Sequence, residues 1–263
     1  MVDIHTHLLP NIDDGSKSLN DSLKQLCQMA EGGIKRVYLT AHYFKGHYQY
    51  SRQEYDEKFN TIVNKVKDAG IDLDIQPGFE IYLQPDILED IKTHNLTMGK
   101  SSYILLESDL NGLPNDFYNN IFPLLRAGYK PILAHAERYV SIMQKPSRAE
   151  DLIYRNIYMQ TNAGSLLGLY GEKVKSTAWI LVNKGWTHFI ASDDHIRGKY
   201  LAYFEARDKV EEMIDNHTAH LLFYVFPSCI ASGENIPYEY VQVYRPHHSH
   251  HHHRRSIIKR IFG

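Results

Sequence analysis

The chain has 263 residues, enough for one large domain or two small ones, and its 43% hydrophobic and 23% charged content is typical of a globular protein. Its net charge of −2 argues against a general nucleic-acid-binding surface, and no apolar run approaches the ~20 residues of a membrane span. The first residues do not resemble a signal peptide, and only Cys27 and Cys229 are present, so we expect a cytoplasmic protein without disulfide bonds.

Strand and helix patterns alternate along the chain. In chain order the predicted strands are VDI, RVYLT, LDIQP, YILLE, PILAH, IYMQTN and HFIAS, and the predicted helices lie near residues 19–30, 55–66, 85–91, 117–125, 148–154, 174–184 and 201–214. This order predicts an α/β protein with a parallel sheet and right-handed crossovers. A closed (β/α)7 barrel fits best, and a doubly wound open sheet is the alternative.

The last residues differ from the rest of the chain. No linker or long repeat interrupts residues 1–244, which we expect to form one domain, followed by a flexible tail at 245–263. This tail holds six of the sixteen histidines and several basic residues. Its isoleucines and its arginines could occupy opposite faces of a short helix that touches an anionic membrane weakly; a solvated tail is the alternative.

Neither cysteine fits a phosphatase with a thiolate nucleophile. Such an enzyme needs an arginine six residues after the cysteine, in the loop that binds phosphate. Gly33 and Asn235 occupy those positions, so the sequence excludes this mechanism.

Residues of metal-ligand type lie at or just beyond the ends of predicted strands. His5 and His7 are two apart on the first strand and therefore face the same side. The others are Asp14, His42, Glu80, Glu107, His135, Asp193 and His195. Six of the seven strands thus bring an acid or a histidine to the carboxyl face of the barrel, where active sites of such barrels assemble.

Taken singly, each of these residues could be a helix cap, a turn residue or a hydrogen-bonded core residue. Together, four carboxylates and five imidazoles on one buried face would be costly without cations. Nine ligands exceed the needs of one ion, and a donor set of nitrogen and oxygen suits manganese, iron or zinc. Water held between such ions becomes hydroxide near neutral pH, which indicates a hydrolase.

Several motifs closely resemble the PHP (polymerase and histidinol phosphatase) family. They are DIHTHLLPNIDDG, PGFEIY, AHAERY, QTNAGSLLGLYG and GWTHFIASDDH, and the resemblance spans about residues 1–240. Within the family, the chain is most similar to the metal-dependent protein-tyrosine phosphatases of bacterial capsule and exopolysaccharide operons, the CpsB/YwqE group. The resemblance implies a distorted (β/α)7 barrel, the PHP fold, with three divalent metal ions, usually manganese or iron, and zinc as a further alternative.

By matching position, the resemblance also implies a set of ligands for each ion. The first ion would take His5, His7, Glu80 and Asp193; the second Glu80, Glu107 and His135; the third Asp14, His42 and His195. Glu80 would bridge the first two ions. Asp13 stands beside Asp14, and Asp14 is chosen by motif position.

The activity implied by the resemblance is removal of phosphate from the tyrosine-rich C-terminal tail of a membrane-associated bacterial tyrosine autokinase, which regulates polysaccharide synthesis. Hydroxide would attack phosphorus in line while metal ions hold the phosphate oxygens, and no phosphoenzyme would form. The catalytic residues would be Arg138, Arg197 and His195, with Lys199 a weaker candidate than Arg197. The enzyme would work in the cytoplasm, at the inner face of the membrane.

Two other functions compete with this one. A small-molecule phosphatase, for a substrate such as histidinol phosphate, should have a closed pocket, whereas a protein substrate needs an open cleft. The segment HYFKGHYQYSRQEY could line such a cleft and stack on phosphotyrosine. The second rival is a metal-stabilised binding module without activity. A nuclease fits less well because the core has no basic stripe.

Overall fold

The computed structural model of the chain describes residues 1–48, 50–114 and 116–236. The predicted boundary after residue 244, the tail at 245–263 and its membrane contact lie outside these residues and stay predictions. Within the described ranges, no helix combines the length and the apolar character needed to cross a bilayer.

Seven parallel strands form one sheet whose spatial order equals the chain order. They are β1 (Val2–Thr6), β2 (Arg36–Tyr43), β3 (Asp74–Tyr82), β4 (Tyr103–Glu107), β5 (Lys130–Leu133), β6 (Tyr158–Asn162) and β7 (Phe189–Ala191). The sheet closes where the chain after β7 meets β1: the His7 amide donates to the Asp194 carbonyl, and the Asp193 amide to the His5 carbonyl, both at 2.9 Å. The predicted barrel is confirmed, and the open sheet is wrong.

Helices connect the strands and cover the outside of the barrel. They are α1 (Leu19–Glu31), α2 (Arg52–Asp68), α3 (Ile87–His94), α4 (Phe117–Arg126), α5 (Val140–Gln144), α6 (Arg148–Ile153), α7 (Ala163–Leu167), α8 (Glu172–Lys184), α9 (Ala202–Met213), α10 (Asn216–His220) and α11 (Phe226–Ser232), with a 3₁₀ turn at Ala136–Arg138 and a π-helical turn at Leu221–Val225. Ser18 and Ser51 cap α1 and α2 by accepting a backbone N–H of the first turn. The sequence did not predict α5, α7, α10 or α11; the first three span five residues each, too few to show a helical period.

The strands are buried on both faces, which explains their continuous apolar runs. In β4, Tyr103 to Leu106 are all buried, and every residue of β1 and β6 is buried. The sheet therefore lies between the barrel interior and the helices. The buried polar side chains of these strands, Asp3 excepted, lie in the middle of the strands or toward their carboxyl ends.

Two predicted strand ends were too early. His42 and Glu80 were expected to follow their strands, but β2 continues to Tyr43 and β3 to Tyr82. The prediction ended the third strand at Pro77, yet this proline lies within the ladder between β2 and β3. The register of that ladder pairs His42 directly with Glu80, so strand pairing itself sets these two side chains next to each other.

His188, just before β7, provides a test of the buried core. Its Nδ1 accepts the Met159 amide at 3.0 Å, and burial lowers its pKa to about 3. Below pH ~6.5, His188 is protonated in the unfolded chain but stays neutral in the folded chain. Protonation therefore favours the unfolded chain, and the free energy of unfolding decreases as pH falls from ~6.5. Relative to His188→Gln, the wild type should lose up to about 1.4 kcal/mol of unfolding free energy per pH unit.

Urea denaturation of both metal-free proteins at pH 7.5 and 5.5 measures this difference. All other titratable groups are the same in both proteins, so their contributions cancel in the comparison. Identical pH dependences would show that His188 does not remain neutral in the fold.

Candidate metal centre

All nine predicted ligands meet at the carboxyl end of the barrel. They lie in β1 (His5), in the loop after β1 (His7, Asp14), in β2 (His42), in β3 (Glu80), at the end of β4 (Glu107), after β5 (His135) and after β7 (Asp193, His195). Three overlapping groups have ligand atoms within 4.8 Å of one another: His7, Asp14, His42 and His195; His5, His7 and Asp193; and His42, Glu80 and Glu107. His135 joins them through Glu80, at 2.9 Å.

The Glu80 carboxylate lies at the middle of the cluster and is almost fully buried. Its Oε2 is 3.1 Å from Nε2 of His5, 3.2 Å from Nε2 of His7 and 3.2 Å from Nδ1 of His42. Its other oxygen, Oε1, faces Nε2 of His135. Because both oxygens face imidazole nitrogens on different sides, this carboxylate could bind two cations at once.

Hydrogen bonds at Nδ1 orient two histidines so that their Nε2 atoms face the cluster. His5 Nδ1 lies 3.0 Å from Oε1 of Gln160, and His7 Nδ1 lies 2.9 Å from Oδ2 of Asp13. Each Nδ1 therefore donates its proton outward, and the Nε2 atoms of His5 and His7 face each other at 3.1 Å. Two ligands ~2.1 Å from one ion stand about 3.0 to 3.4 Å apart. These residues fit a divalent cation.

The neighbouring acids Asp13 and Asp14 have different surroundings. The Asp13 carboxylate accepts from the His7 ring and from two backbone amides, so it holds His7 in place. Asp14 is half-exposed, and its Oδ1 lies 3.4 Å from Nε2 of both His42 and His195. The geometry favours Asp14 as the ligand.

Burial and nearby opposite charges shift the pKa values of this cluster in opposite directions. Burial disfavours the protonated ring of His42, but Glu80 and the other nearby carboxylates outweigh it and raise the pKa of His42 to about 10. For His195, burial and the nearby His7 lower the pKa to about 4. Burial also opposes the charged form of Glu80, yet the surrounding imidazoles hold its pKa well below the usual range. Without metal, the raised pKa values of His5, His7 and His42 favour protons that offset the acids; a bound cation would replace these protons.

Two residues of the cluster and one neighbouring residue have left-handed backbone conformations. The φ angles are 37° at His135, 54° at Asp193 and 56° at Ile196. Such conformations cost ~1–3 kcal/mol in residues other than glycine, most clearly in a β-branched one. Hydrogen bonds of the barrel rim maintain them, and the turns direct the His135 and Asp193 side chains into the cluster.

The predicted arginines lie at the rim. Arg138 places Nη1 3.4 Å from Oδ2 of Asp193, and its guanidinium lies 4.7 Å from the centre of the Tyr170 ring. Arg197 and Lys199 are exposed in the loop after β7. The structure thus brings Arg138 into contact with the cluster and leaves the other two at the surface.

Aromatic rings from the loop after β2 adjoin the cluster. Tyr48 stacks on His42, with ring centres 5.0 Å apart and planes within 6°. Phe44 stacks on Tyr82, at the end of β3, with centres 4.1 Å apart. Their flat apolar faces could pack against an aryl group near the metal ligands. Tyr82 was missed because an aromatic residue at a strand end normally indicates core packing.

β6 was the one strand without a predicted ligand, and its role was missed. Gln160 and Asn162 are both fully buried and reach His5 and Asp193 through their side-chain amides. Their one sequence signal is that two amide residues lie two apart in a predicted buried strand.

The chain matches the model of a protein family described as capsular polysaccharide synthesis, CpsB/CapC, over residues 1–232. It is 32% identical over 198 residues to the putative tyrosine-protein phosphatase CapC of Staphylococcus aureus. The alignment covers 74% of this chain and 77% of that protein. It is 31% identical over 196 residues to the tyrosine-protein phosphatase YwqE of Bacillus subtilis, with 74% and 77% covered.

Solved structures show the same fold. One comes from a study of YwqE from Bacillus subtilis and CpsB from Streptococcus pneumoniae, described as unique metal-dependent tyrosine phosphatases; it aligns with a TM-score of 0.84 and 27% identity, covering 90% of this chain and 96% of that chain. Histidinol phosphate phosphatase from Lactococcus lactis aligns with a TM-score of 0.54 and 12% identity, covering 85% and 96%, and shows a likeness of fold alone.

Proposed function

The chain belongs to the CpsB/CapC family of capsular polysaccharide synthesis, and on that premise we propose that it is a metal-dependent protein-tyrosine phosphatase. The observation that supports this most is the buried Glu80 carboxylate, which lies within 3.2 Å of nitrogens of four imidazoles. The relatives named tyrosine-protein phosphatases give the type of substrate, and the cluster gives the means to hydrolyse it.

Three divalent cations, with manganese foremost and iron or zinc as alternatives, are the proposed cofactors. His5, His7, Glu80 and Asp193 would hold the first; Glu80, Glu107 and His135 the second; Asp14, His42 and His195 the third. The three overlapping groups of ligand atoms support this number. The donor set of imidazole and carboxylate supports the choice of metals.

Cations held there would supply positive charge for the phosphoryl oxygens and an activated water as nucleophile, so that phosphate passes directly to water. The chain's own residues do the rest. Arg138, at the edge of the cluster, can donate two parallel hydrogen bonds to phosphoryl oxygens from its guanidinium. Arg197 is the second arginine proposed to bind phosphate. His195, which stays neutral at pH 7 because its pKa is lowered, completes the proposed catalytic residues.

The proposed substrate is phosphotyrosine on the C-terminal tail of a membrane-associated bacterial tyrosine autokinase, whose dephosphorylation regulates capsule or exopolysaccharide synthesis. Tyr48, stacked on His42, and the pair of Phe44 and Tyr82 offer aromatic surfaces for a phosphotyrosine ring. The family's description supports the link to polysaccharide synthesis. Such a partner would place the enzyme in the cytoplasm, at the inner face of the membrane.

A comparison of two substrates tests this function. We expect the metal-loaded enzyme to hydrolyse a phosphotyrosine peptide with kcat/KM at least about tenfold above that for histidinol phosphate, a modest 1.4 kcal/mol preference. The reverse preference would make the protein a small-molecule phosphatase. Metal binding without turnover of either substrate would indicate a binding module.

A further inference from the structure

We propose that Gln160 and Asn162 of β6 are positioning residues that orient two ligands of the first cation, His5 and Asp193. This inference rests on the proposed metal centre. β6 supplies no ligand itself, but residues two apart in a strand face the same side, so both amides point to the cluster. Both side chains are fully buried, where every polar atom needs a partner.

One backbone amide fixes the orientation of the Gln160 side chain. The N–H of His135 donates to Oε1 of Gln160 at 2.9 Å, and because a backbone N–H can only donate, this atom is the carbonyl oxygen. The same oxygen lies 3.0 Å from Nδ1 of His5, which must therefore carry its proton there. Nε2 of His5 is therefore the ring nitrogen that faces the other ligands and that a cation would use.

The nitrogen of the Gln160 amide orients the second ligand, Asp193, through Asn162. Its Nε2 donates to Oδ1 of Asn162 at 2.7 Å, so the Asn162 nitrogen is turned to Oδ2 of Asp193, also at 2.7 Å. With Oδ2 engaged, Oδ1 of Asp193 is the oxygen that faces Nε2 of His5 at 3.4 Å and Nε2 of His7 at 3.5 Å.

These bonds form a chain with a single direction. If the Gln160 amide were reversed, its NH₂ group would face the His135 N–H, and its oxygen would face the Asn162 oxygen. Both contacts are repulsive and buried, so the reversed arrangement is disfavoured. The two linking amides do not change charge with pH. They therefore hold the Nδ1 proton of His5 and one orientation of Asp193 in place before a cation binds.

The Asn162 backbone is fixed independently of this chain. Its N–H donates to Oε1 of Glu137 at 3.1 Å, and that carboxyl also accepts from the Ser165 hydroxyl. The Asn162 side chain thus starts from an anchored backbone. Outer residues of this kind typically contribute 10–100-fold to metal affinity.

Three variants test the inference. Gln160→Met removes the amide while keeping the length of the side chain, and Asn162→Ser shortens the side chain so that it no longer reaches Asp193. The matched control is Thr161→Val in the same strand. Thr161 is also fully buried, and the substitution removes its hydrogen bond to Thr187, which does not involve a proposed metal ligand. The readouts are the manganese Kd of the metal-stripped full-length protein, by chelator competition, and the Tm without metal.

We expect Gln160→Met and Asn162→Ser each to raise the manganese Kd by about 10–100-fold, and Thr161→Val to leave it within about twofold of wild type. The Tm should fall comparably in all three variants, since each loses buried hydrogen bonds. If Gln160→Met fails to fold, Asn162→Ser decides alone.

Unchanged affinity in the β6 amide variants, or equal weakening by Thr161→Val, would overturn the positioning role. A wild type that binds manganese but hydrolyses no phosphotyrosine would refute the proposed function and leave the affinity comparison decisive. A wild type that binds no metal would overturn both.

Discussion

Replacing Glu80 by glutamine is expected to lower kcat for a phosphotyrosine peptide on the order of 10³-fold and to reduce bound metal. Glutamine has nearly the same shape, but its amide is neutral, and its oxygen can bind a metal ion whereas its NH₂ group cannot. The two oxygens of Glu80 face four imidazoles on different sides, more than any other carboxylate of the cluster does. Metal content by mass spectrometry and kcat measure the two effects.

Glu137→Gln is the matched control for this substitution. Glu137 is also fully buried, and it lies between His135 and Arg138 in the sequence. Burial raises the pKa of its carboxyl, and Oε1, which accepts from Asn162 and Ser165, is retained in glutamine. We expect wild-type metal content and turnover. A Glu80→Gln enzyme that behaved like this control would contradict the bridging role.

Replacing Arg138 by alanine is expected to lower kcat/KM for the same peptide by about 10²–10³-fold with little change in metal content. The guanidinium contacts Asp193 of the cluster at 3.4 Å and lies over the Tyr170 ring, so its charge is held at the edge of the cluster. Arg138→Lys should recover part of the loss, because an ammonium keeps the charge but lacks the fork that matches two phosphoryl oxygens.

Arg148→Ala, an exposed arginine at the start of α6, controls for a general loss of positive charge. It should hydrolyse the peptide at the wild-type rate. Near-normal turnover by Arg138→Ala would remove this residue from the mechanism and leave Arg197 as the arginine to be tested next.

The fold was predictable because each βα unit carries its own signal. Buried strands such as YILLE and amphipathic helices such as α1 are recognisable locally, and the parallel order follows from their alternation. Strand ends were less predictable. His42 and Glu80 lie within strands because pairing between β2 and β3 extends the ladder past Pro77, and such pairing is not visible in either segment alone.

The candidate ligands were predictable because acids and histidines are rare at buried strand ends unless a cation offsets their charge. Gln160 and Asn162 gave no such signal, since a neutral amide is hydrogen-bonded in many cores for structural reasons alone. The different surroundings of Asp13 and Asp14 were also hidden. Both side chains belong to one short loop, and only its folded path turns Asp13 to His7 and Asp14 to His42.

The most direct test of the metal-dependent phosphatase is the turnover of a phosphotyrosine peptide by metal-stripped enzyme titrated with manganese, iron and zinc. We predict no turnover without metal, recovery with manganese or iron, and no recovery in His135→Ala, which loses the imidazole that faces Glu80. Full turnover by the metal-stripped enzyme, or by His135→Ala, would contradict catalysis by this cluster.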